Sequence, residues 1–166
     1  MHIAQQIAHD IDQALASTYI TLDYEGRFLR RKRLITDGGE PFLVELPETT
    51  SLSSTDGFLL DDGRIIGIKA MPESLLKVKH PELPRIAWHI GNRHTPCQIE
   101  RDHLLIQEDH VMEGLLRLLG ADIKKLRAPF IPEGGAYGYG RTHSHSHNYS
   151  HRPSSPPDHA DFSQQP

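Results

Sequence analysis

Histidine is the residue type in this chain whose number and spacing could do chemistry. Twelve histidines occur among 166 residues, and five of them lie in residues 143–159. His143, His145 and His147 alternate with serine, so an extended chain would carry their imidazoles on one face. Neutral imidazole binds nickel, copper and zinc, and histidine-rich tracts are typical of metal-binding segments. We therefore predict that this segment binds a metal ion, although its spacing does not choose among the three metals.

Two further histidines stand out ahead of this tail. His94 closes the sequence Gly-Asn-Arg-His, and His110 directly follows Asp109. Asp109 occupies an N-cap position before an apolar helical stripe, so His110 is predicted at the start of a helix. The positive end of the helix dipole disfavours protonated imidazole there and favours the neutral form that binds metal. A metal-binding role and a capping or surface role both stay open for His110.

The sequence signatures of common enzymes are missing from this chain. It contains no glycine-rich phosphate loop of the Walker type and no His-Glu-x-x-His zinc motif. The single cysteine, Cys97, excludes iron–sulfur and zinc-finger frameworks and an internal disulfide, which fits a reducing cytoplasm. We expect a metal-binding protein without catalytic turnover. The enzyme alternative is a metal-dependent hydrolase that uses His94, His110 and Glu108.

Charge and hydropathy argue against nucleic-acid and membrane partners. The formal net charge is -4, whereas nucleic-acid binding needs a basic surface that displaces counterions. No apolar run approaches the roughly 20 residues that cross a bilayer, and residues 1–6 lack the start of a secretory signal. The exception is the basic run at residues 27–33. We predict the solvated edge of a strand pair, where basic side chains discourage edge-to-edge association; a docking patch for an acidic protein and a nucleic-acid contact are the alternatives.

Residues 1–72 are predicted to form a β-rich domain. Residues 19–24 and 41–47 are rich in β-forming side chains. Residues 57–68 are predicted to form a hairpin, because the Asp-Gly in its middle supplies the positive φ that the turn requires. A helical period is found only in residues 3–15.

Residues 73–133 have a different pattern, in which strands and helices alternate. The predicted elements are a strand at 75–80, a helix at 81–91, a hairpin at 97–107, a helix after Asp109 and a strand at 123–130. This βαββαβ order is the ferredoxin-like arrangement, so the predicted fold class is α+β. Residues 134–166 have almost nothing to bury, and we expect them to form a disordered, His-rich tail in the absence of a ligand.

Several motifs in a fixed order identify the chain as similar to a known family. They are AWHIGNRHTP at 87–96, DHVME at 109–113, LGA at 119–121 and PFIPEGGAYG at 129–138, with LDY at 22–24, RRKRL at 30–34 and LDDGR at 60–64. Together they closely resemble the UreE family of urease accessory proteins, which are nickel metallochaperones that supply the urease active site. A lone Gly-Asn-Arg-His would be a weak signal, whereas the whole set is a strong one.

The resemblance implies a particular metal site and particular partners. The family's nickel ligand corresponds to His94, near the axis of a homodimer formed by the C-terminal domains. Ni(II) is then the cargo, with Zn(II) and Cu(II) as competitors, and the partners are the urease GTPase UreG and the urease apoprotein. His110 matches a second position that contributes to metal binding in some members. Glu108 stands where some relatives have a further histidine.

A second binding function stays open beside the metallochaperone. The chain would then be a nickel or zinc storage buffer in which the tail binds metal and His94 is incidental. Around His94, we predict that Cys97 is a small buried hydrophobic residue and that Trp88 is a core or dimer contact. Residues 129–132 are predicted to close the last strand and aim the tail back toward His94.

Overall fold

Two β-sheets follow one another along the chain in the computed structural model, which describes residues 1–134. The first sheet has six strands, and the second has four strands with two α-helices packed against it. The predicted fold class is confirmed, because a β-rich first half is followed by a βαββαβ second half. No helix in this part of the chain is long and apolar enough to span a membrane.

The first sheet mixes parallel and antiparallel strand pairs. Its strands are β1 (His2–Ala8), β2 (Thr18–Leu22), β3 (Phe28–Ile35), β4 (Pro41–Ser51), β5 (Gly57–Leu60) and β6 (Ile65–Ala70). Their order across the sheet is β2-β6-β5-β1-β4-β3. Phe42, Val44 and Leu46 of β4 are buried at every second position, because successive side chains of a strand point to opposite faces. That alternation builds the core on one face of the sheet.

The helical period in residues 3–15 is a wrong prediction, since this segment begins with a central strand. β1 runs parallel to β4 on one side and antiparallel to β5 on the other, and Ala4 is completely buried. The only helical remnant is a 3-10 turn at Gln13–Leu15, where the Asp12 carboxylate accepts a hydrogen bond from the Ala14 amide at 3.0 Å. Pairing with distant strands overrides the local pattern of this short segment.

The hairpin predicted around Asp61, Asp62 and Gly63 is confirmed. β5 pairs antiparallel with β6, and Gly63 has a φ of 85°, which glycine adopts without steric penalty. The turn is also tied to the start of the sheet, because the Asp61 amide donates to the Ile3 carbonyl at 2.9 Å. The backbone of this turn is therefore held next to β1.

The basic run lies where an edge strand was predicted, because β3 is one of the two edge strands of the first sheet. Residues 30–33 are all exposed, and Arg31 forms an ion pair with Glu45 of the neighbouring strand at 3.2 Å. Arg27 departs from the prediction of a solvated run. Its side chain is buried, with 3% exposed, and its guanidinium donates to the carbonyl of Phe130.

The second sheet carries the predicted ferredoxin-like arrangement. Its elements are β7 (Pro72–Lys79), α1 (Leu83–Gly91), β8 (Gln98–Ile99), β9 (Leu104–Gln107), α2 (His110–Leu118) and β10 (Asp122–Pro129). The strand order is β10-β7-β9-β8, and every neighbouring pair is antiparallel. Both helices cover one face, where Ile86, Ile90, Met112 and Leu116 are buried in a common core with the strands. The βαββαβ prediction is confirmed.

The opposite face of the second sheet meets the first half of the chain. A buried cluster lies there, formed by Tyr24, Leu75, Leu105 and Phe130. The rings of Tyr24 and Phe130 meet edge to face with centroids 5.4 Å apart. The Glu73 carboxylate accepts one hydrogen bond from the Tyr24 amide at 2.8 Å and another from the Gln107 side chain at 2.9 Å. Apolar and polar contacts together hold the two sheets against each other.

Candidate metal centre

The end of α1 presents His94 to the solvent. Ile86 and Ile90 anchor the helix in the core, with exposed fractions of about 1% or less. After Gly91 the chain leaves the helix through a tight turn, in which the His94 amide donates to the Gly91 carbonyl at 2.9 Å. The Arg93 amide donates to the Ile90 carbonyl at 3.1 Å in the same turn. A helix anchored by two buried side chains thus precedes the turn that carries the exposed histidine.

His94 has an unusual backbone conformation. Its φ is 55°, and Asp10 is the other non-glycine residue with positive φ among residues 1–134. The left-handed region costs an L residue roughly 1–2 kcal/mol, and such strain is concentrated at functional positions. The imidazole is exposed and has no hydrogen-bond or ion-pair partner within the described chain. Its ring nitrogens are therefore available to an external ligand.

His110 is the first residue of α2, as predicted. Asp109 is the N-cap, because its carboxylate accepts a hydrogen bond from the Met112 amide at 2.8 Å. Since Asp109 does the capping, His110 does not, and its imidazole is exposed. The capping role is thus excluded for His110, and a surface role and a metal-binding role remain possible.

A single copy of the chain does not enclose a metal at either histidine. In residues 1–134 the group of three or more side chains with converging ligand atoms is His2 with Asp61 and Asp62, on the first sheet. Neither His94 nor His110 belongs to such a group. A metal at His94 needs further donors from a second copy, from water or from the tail.

The tail histidines themselves, His143, His145 and His147, lie outside the described residues. The residues that lead into the tail are nevertheless held next to the segment that follows His94. The Glu133 amide donates to the Cys97 carbonyl at 2.9 Å, and the Ile131 amide donates to the side-chain oxygen of Gln98 at 2.8 Å. The last described residues therefore run beside the segment that follows His94.

Gln98 is the functional candidate that sequence reasoning missed. A polar residue on a predicted strand carries no signal of its own, and its partner Ile131 is 33 positions away. The other side-chain group of Gln98 donates to Glu100 at 2.7 Å, which fixes the orientation of the amide. The contact is visible only after β8 and the end of β10 have been brought together.

Cys97 lies three residues beyond His94 and packs against the core of the second half. Burial raises the pKa of its thiol to about 11, with a smaller contribution from the nearby carboxylate of Glu133. The thiol is consequently protonated at neutral pH, whereas the thiolate is the form that binds metal. Its position agrees with the predicted small hydrophobic role.

Neighbouring side chains also have clear contacts. His89 is half-buried, and its ring meets that of Trp88 edge to face at 5.1 Å between centroids, which suits a packing role. Glu108, which the hydrolase alternative requires, forms an ion pair with Lys125. This ion pair raises the pKa of Lys125. Glu108 is thus engaged with a cation rather than directed at His94.

Large apolar side chains remain exposed on the two helices. Trp88 on α1 is 63% exposed, and Val111 and Leu118 on α2 are 58% and 88% exposed. The buried faces of these helices contact the sheet, so these three side chains point away from it. Apolar surface of this kind marks sites of association when it is contiguous.

Comparison with known proteins gives matches over both halves of the chain. The family described as UreE urease accessory protein, N-terminal domain, matches residues 2–71, and its C-terminal domain counterpart matches residues 73–160. A urease accessory protein UreE from Ruegeria pomeroyi is 58% identical over 128 residues, which are 77% of this chain and 86% of the relative. The UreE of Rhodobacter capsulatus is 52% identical over 142 residues, 86% of this chain and 90% of the relative.

A third relative, the UreE of Paracoccus denitrificans, is 58% identical over 123 residues, or 74% of this chain and 79% of the relative. The two family matches divide the chain between Met71 and Glu73, close to where the first sheet ends and β7 begins. The motif that carries His94 lies within the C-terminal match. With both halves matched and in this order, the chain belongs to the UreE family of urease accessory proteins.

Proposed function

We propose that this protein is a nickel-binding metallochaperone that takes part in urease maturation and delivers Ni(II) to the urease active site. The observation that carries the proposal is the geometry of His94, in a chain of the UreE family. This imidazole is exposed, has no partner in residues 1–134 and is held in a left-handed turn after a helix that packs one face into the core. A donor in that situation can bind an ion and also release it.

The proposal includes a homodimer formed through the C-terminal domain. A two-fold axis brings any residue beside it close to its own symmetry mate, so two His94 side chains can share one ion. Exposed apolar side chains on α1 and α2, Trp88, Val111 and Leu118, supply surface that a second copy can cover. Two imidazoles leave coordination positions open, which suits a cargo ion better than a structural one.

The tail histidines are proposed to complete the coordination shell. Glu133 is bonded to Cys97, and Cys97 lies at most about 11 Å along the chain from His94. From Gly134 to His143 the chain can span up to roughly 30 Å. His143, His145 and His147 can therefore reach His94 of the same copy or of a partner, and His110 is proposed as a further, weaker ligand.

The remaining proposals follow from this role. The protein works in the cytoplasm, without catalytic turnover, and passes Ni(II) to the urease GTPase UreG and the urease apoprotein; Zn(II) and Cu(II) compete for the same donors. The relatives are named urease accessory proteins, which supports a place in urease assembly. We also propose that residues 1–72 and 73–133 are separate domains, with residues 134–166 as the tail.

The rival function is a nickel or zinc storage buffer in which the tail binds the metal. Calorimetric nickel titration, combined with the mass from light scattering, separates the two functions when it is done on the full chain and on a chain ending at Glu133. The metallochaperone proposal expects the shortened chain to stay dimeric and to bind about one nickel ion per dimer that is lost when His94→Ala is introduced. A shortened chain whose nickel binding is unchanged by His94→Ala would favour the buffer, and one that is monomeric with or without nickel would contradict the shared site.

A further inference from the structure

A second set of metal-ligating side chains lies on the first sheet, and the proposed function does not use it. His2, at the start of β1, faces the turn that follows β5. Its Nδ1 atom lies 2.8 Å from an Asp61 carboxylate oxygen and 3.4 Å from an Asp62 carboxylate oxygen. One ligand atom from each of the three side chains lies within 4.8 Å of the other two. An imidazole and two carboxylates thus converge on one point of the surface.

We propose that His2, Asp61 and Asp62 form a second metal site, which binds a borderline divalent cation such as Ni(II) on the N-terminal half of each chain. Ligand atoms about 2.1 Å from a common ion lie roughly 3 Å apart when they are adjacent. The separations of 2.8 and 3.4 Å bracket that value. An ion can enter when His2 carries its proton on Nε2, so that Nδ1 and the two carboxylate oxygens face the metal.

The local charge suits a divalent ion. Three carboxylates, those of Glu40, Asp61 and Asp62, lie around this point. The Arg64 guanidinium donates hydrogen bonds to Glu40 and Asp62. These side chains together carry more negative than positive charge when His2 is neutral.

The ligands are held in place by contacts outside the set. The Asp62 carboxylate accepts hydrogen bonds from the Arg64 amide at 3.1 Å and from the Arg64 Nε at 2.7 Å. The Asp61 amide is bonded to the Ile3 carbonyl, which joins the turn to the strand that carries His2. Outer contacts of this kind orient the side chains that bind a metal.

This site differs from the His94 site in needing no second copy. The side chains of His2 and Asp61 are 39% and 54% exposed, so an ion can enter and leave from solvent. All three ligands come from one chain, and the inference therefore does not rest on the proposed dimer. It adds a place where nickel is held on the half of the molecule that lacks His94.

Nickel chloride titration of the full-length, untagged, ¹⁵N-labelled protein tests the inference by NMR. Paramagnetic Ni(II) should weaken the amide signals of Ile3, Leu60 and Gly63. His2→Gln and Asp61→Asn should each raise the nickel concentration needed for that loss by about tenfold or more, which is the scale for disrupting a metal shell. His103→Gln is the matched control, because His103 also contacts an aspartate, Asp102 at 2.7 Å, but faces one carboxylate instead of two.

Two results would overturn the inference. The first is that these three amide signals keep their intensity while signals near His94 are lost, which would leave the proposed function intact. The second is that His2→Gln and Asp61→Asn lose the same signals at the same nickel concentration as the unchanged chain. The proposed function fails separately, if signals near His94 persist while those near His2 are lost. Spectra of each variant without nickel establish that its fold is retained.

Discussion

The His94 turn and the His2 cluster differ in how many ligands one copy of the chain provides. His94 is exposed and has no partner among residues 1–134, whereas His2 already faces two carboxylates. Metal binding at His94, as proposed, would therefore need donors from a second copy, from water or from the tail. Binding at His2 would be a property of the single chain. The difference suggests a general rule: an ion that has to be transferred is better bound at a site where some of its ligands can dissociate, as they could at His94.

The variant His94→Ala is the strongest test of the difference between the two sites. We expect nickel binding at the C-terminal half to weaken by about 100-fold or more, because a ligand is lost rather than an outer contact. Calorimetry measures the affinity, and light scattering should still report the dimer. His89→Ala is the matched control, since His89 lies on the same helix but contacts Trp88. If nickel affinity and stoichiometry were unchanged in His94→Ala, His94 would not be a nickel ligand.

Dilution tests whether the two sites differ in their need for a partner. Anything that requires association follows mass action, so nickel affinity at His94 should fall when the protein is diluted below its dimer dissociation constant. We expect a loss of about tenfold for each tenfold dilution below that point. The His2 site should keep its affinity across the same series. NMR intensities near each histidine give both readouts in one sample, and a parallel loss at both sites would refute the contrast.

The variant Gln98→Ala tests whether the tail contributes to nickel binding at His94. The substitution removes the acceptor of the Ile131 amide, so the residues that lead into the tail are held less firmly next to the segment that follows His94. We expect nickel affinity to fall a few-fold, roughly the effect of losing one hydrogen bond of about 1 kcal/mol. The control is the same substitution in a chain that ends at Glu133, where it should change nothing. Equal effects in both chains would show that Gln98 acts on the fold alone.

Cys97→Ser should have the smallest effect. Burial raises the thiol pKa to about 11, so the side chain is protonated in the pH range where imidazoles bind metal. We expect the nickel affinity of the variant to lie within about twofold of the unchanged chain, since no ligand is removed. A larger loss, measured by the same calorimetry, would mean that Cys97 gives up its proton to the metal and belongs to the site.

Sequence patterns were sufficient wherever the information is local. The amphipathic stripes of α1 and α2, the Asp-Gly turn and the N-cap at Asp109 all follow from residues within one or two turns of each other. Those elements in order specify the ferredoxin-like half. The position of His94 at the end of its helix was likewise implied by the motif that contains it.

Contacts between residues that are far apart in the sequence could not be predicted from local patterns. His2 and Asp61 are separated by 59 positions, and Arg27 and Phe130 by 103. Neither pair leaves a periodic signal, because each depends on how whole strands are ordered in space. For the same reason residues 3–15 were misjudged, since the burial of Ala4 comes from strands β4 and β5. The basic run was predicted well at residues 30–33 and wrongly at Arg27.

The left-handed backbone conformation of His94 means that the stability of the fold and metal binding favour different residues at position 94. Glycine at position 94 would relax a conformation that disfavours side chains, and so would make the folded chain more stable than alanine does by about 1 kcal/mol. It would also remove the imidazole that we propose as a nickel ligand. Glycine would thus stabilise the turn but provide no ligand atom. Histidine at this position costs folding free energy and provides a side chain that can bind a metal ion.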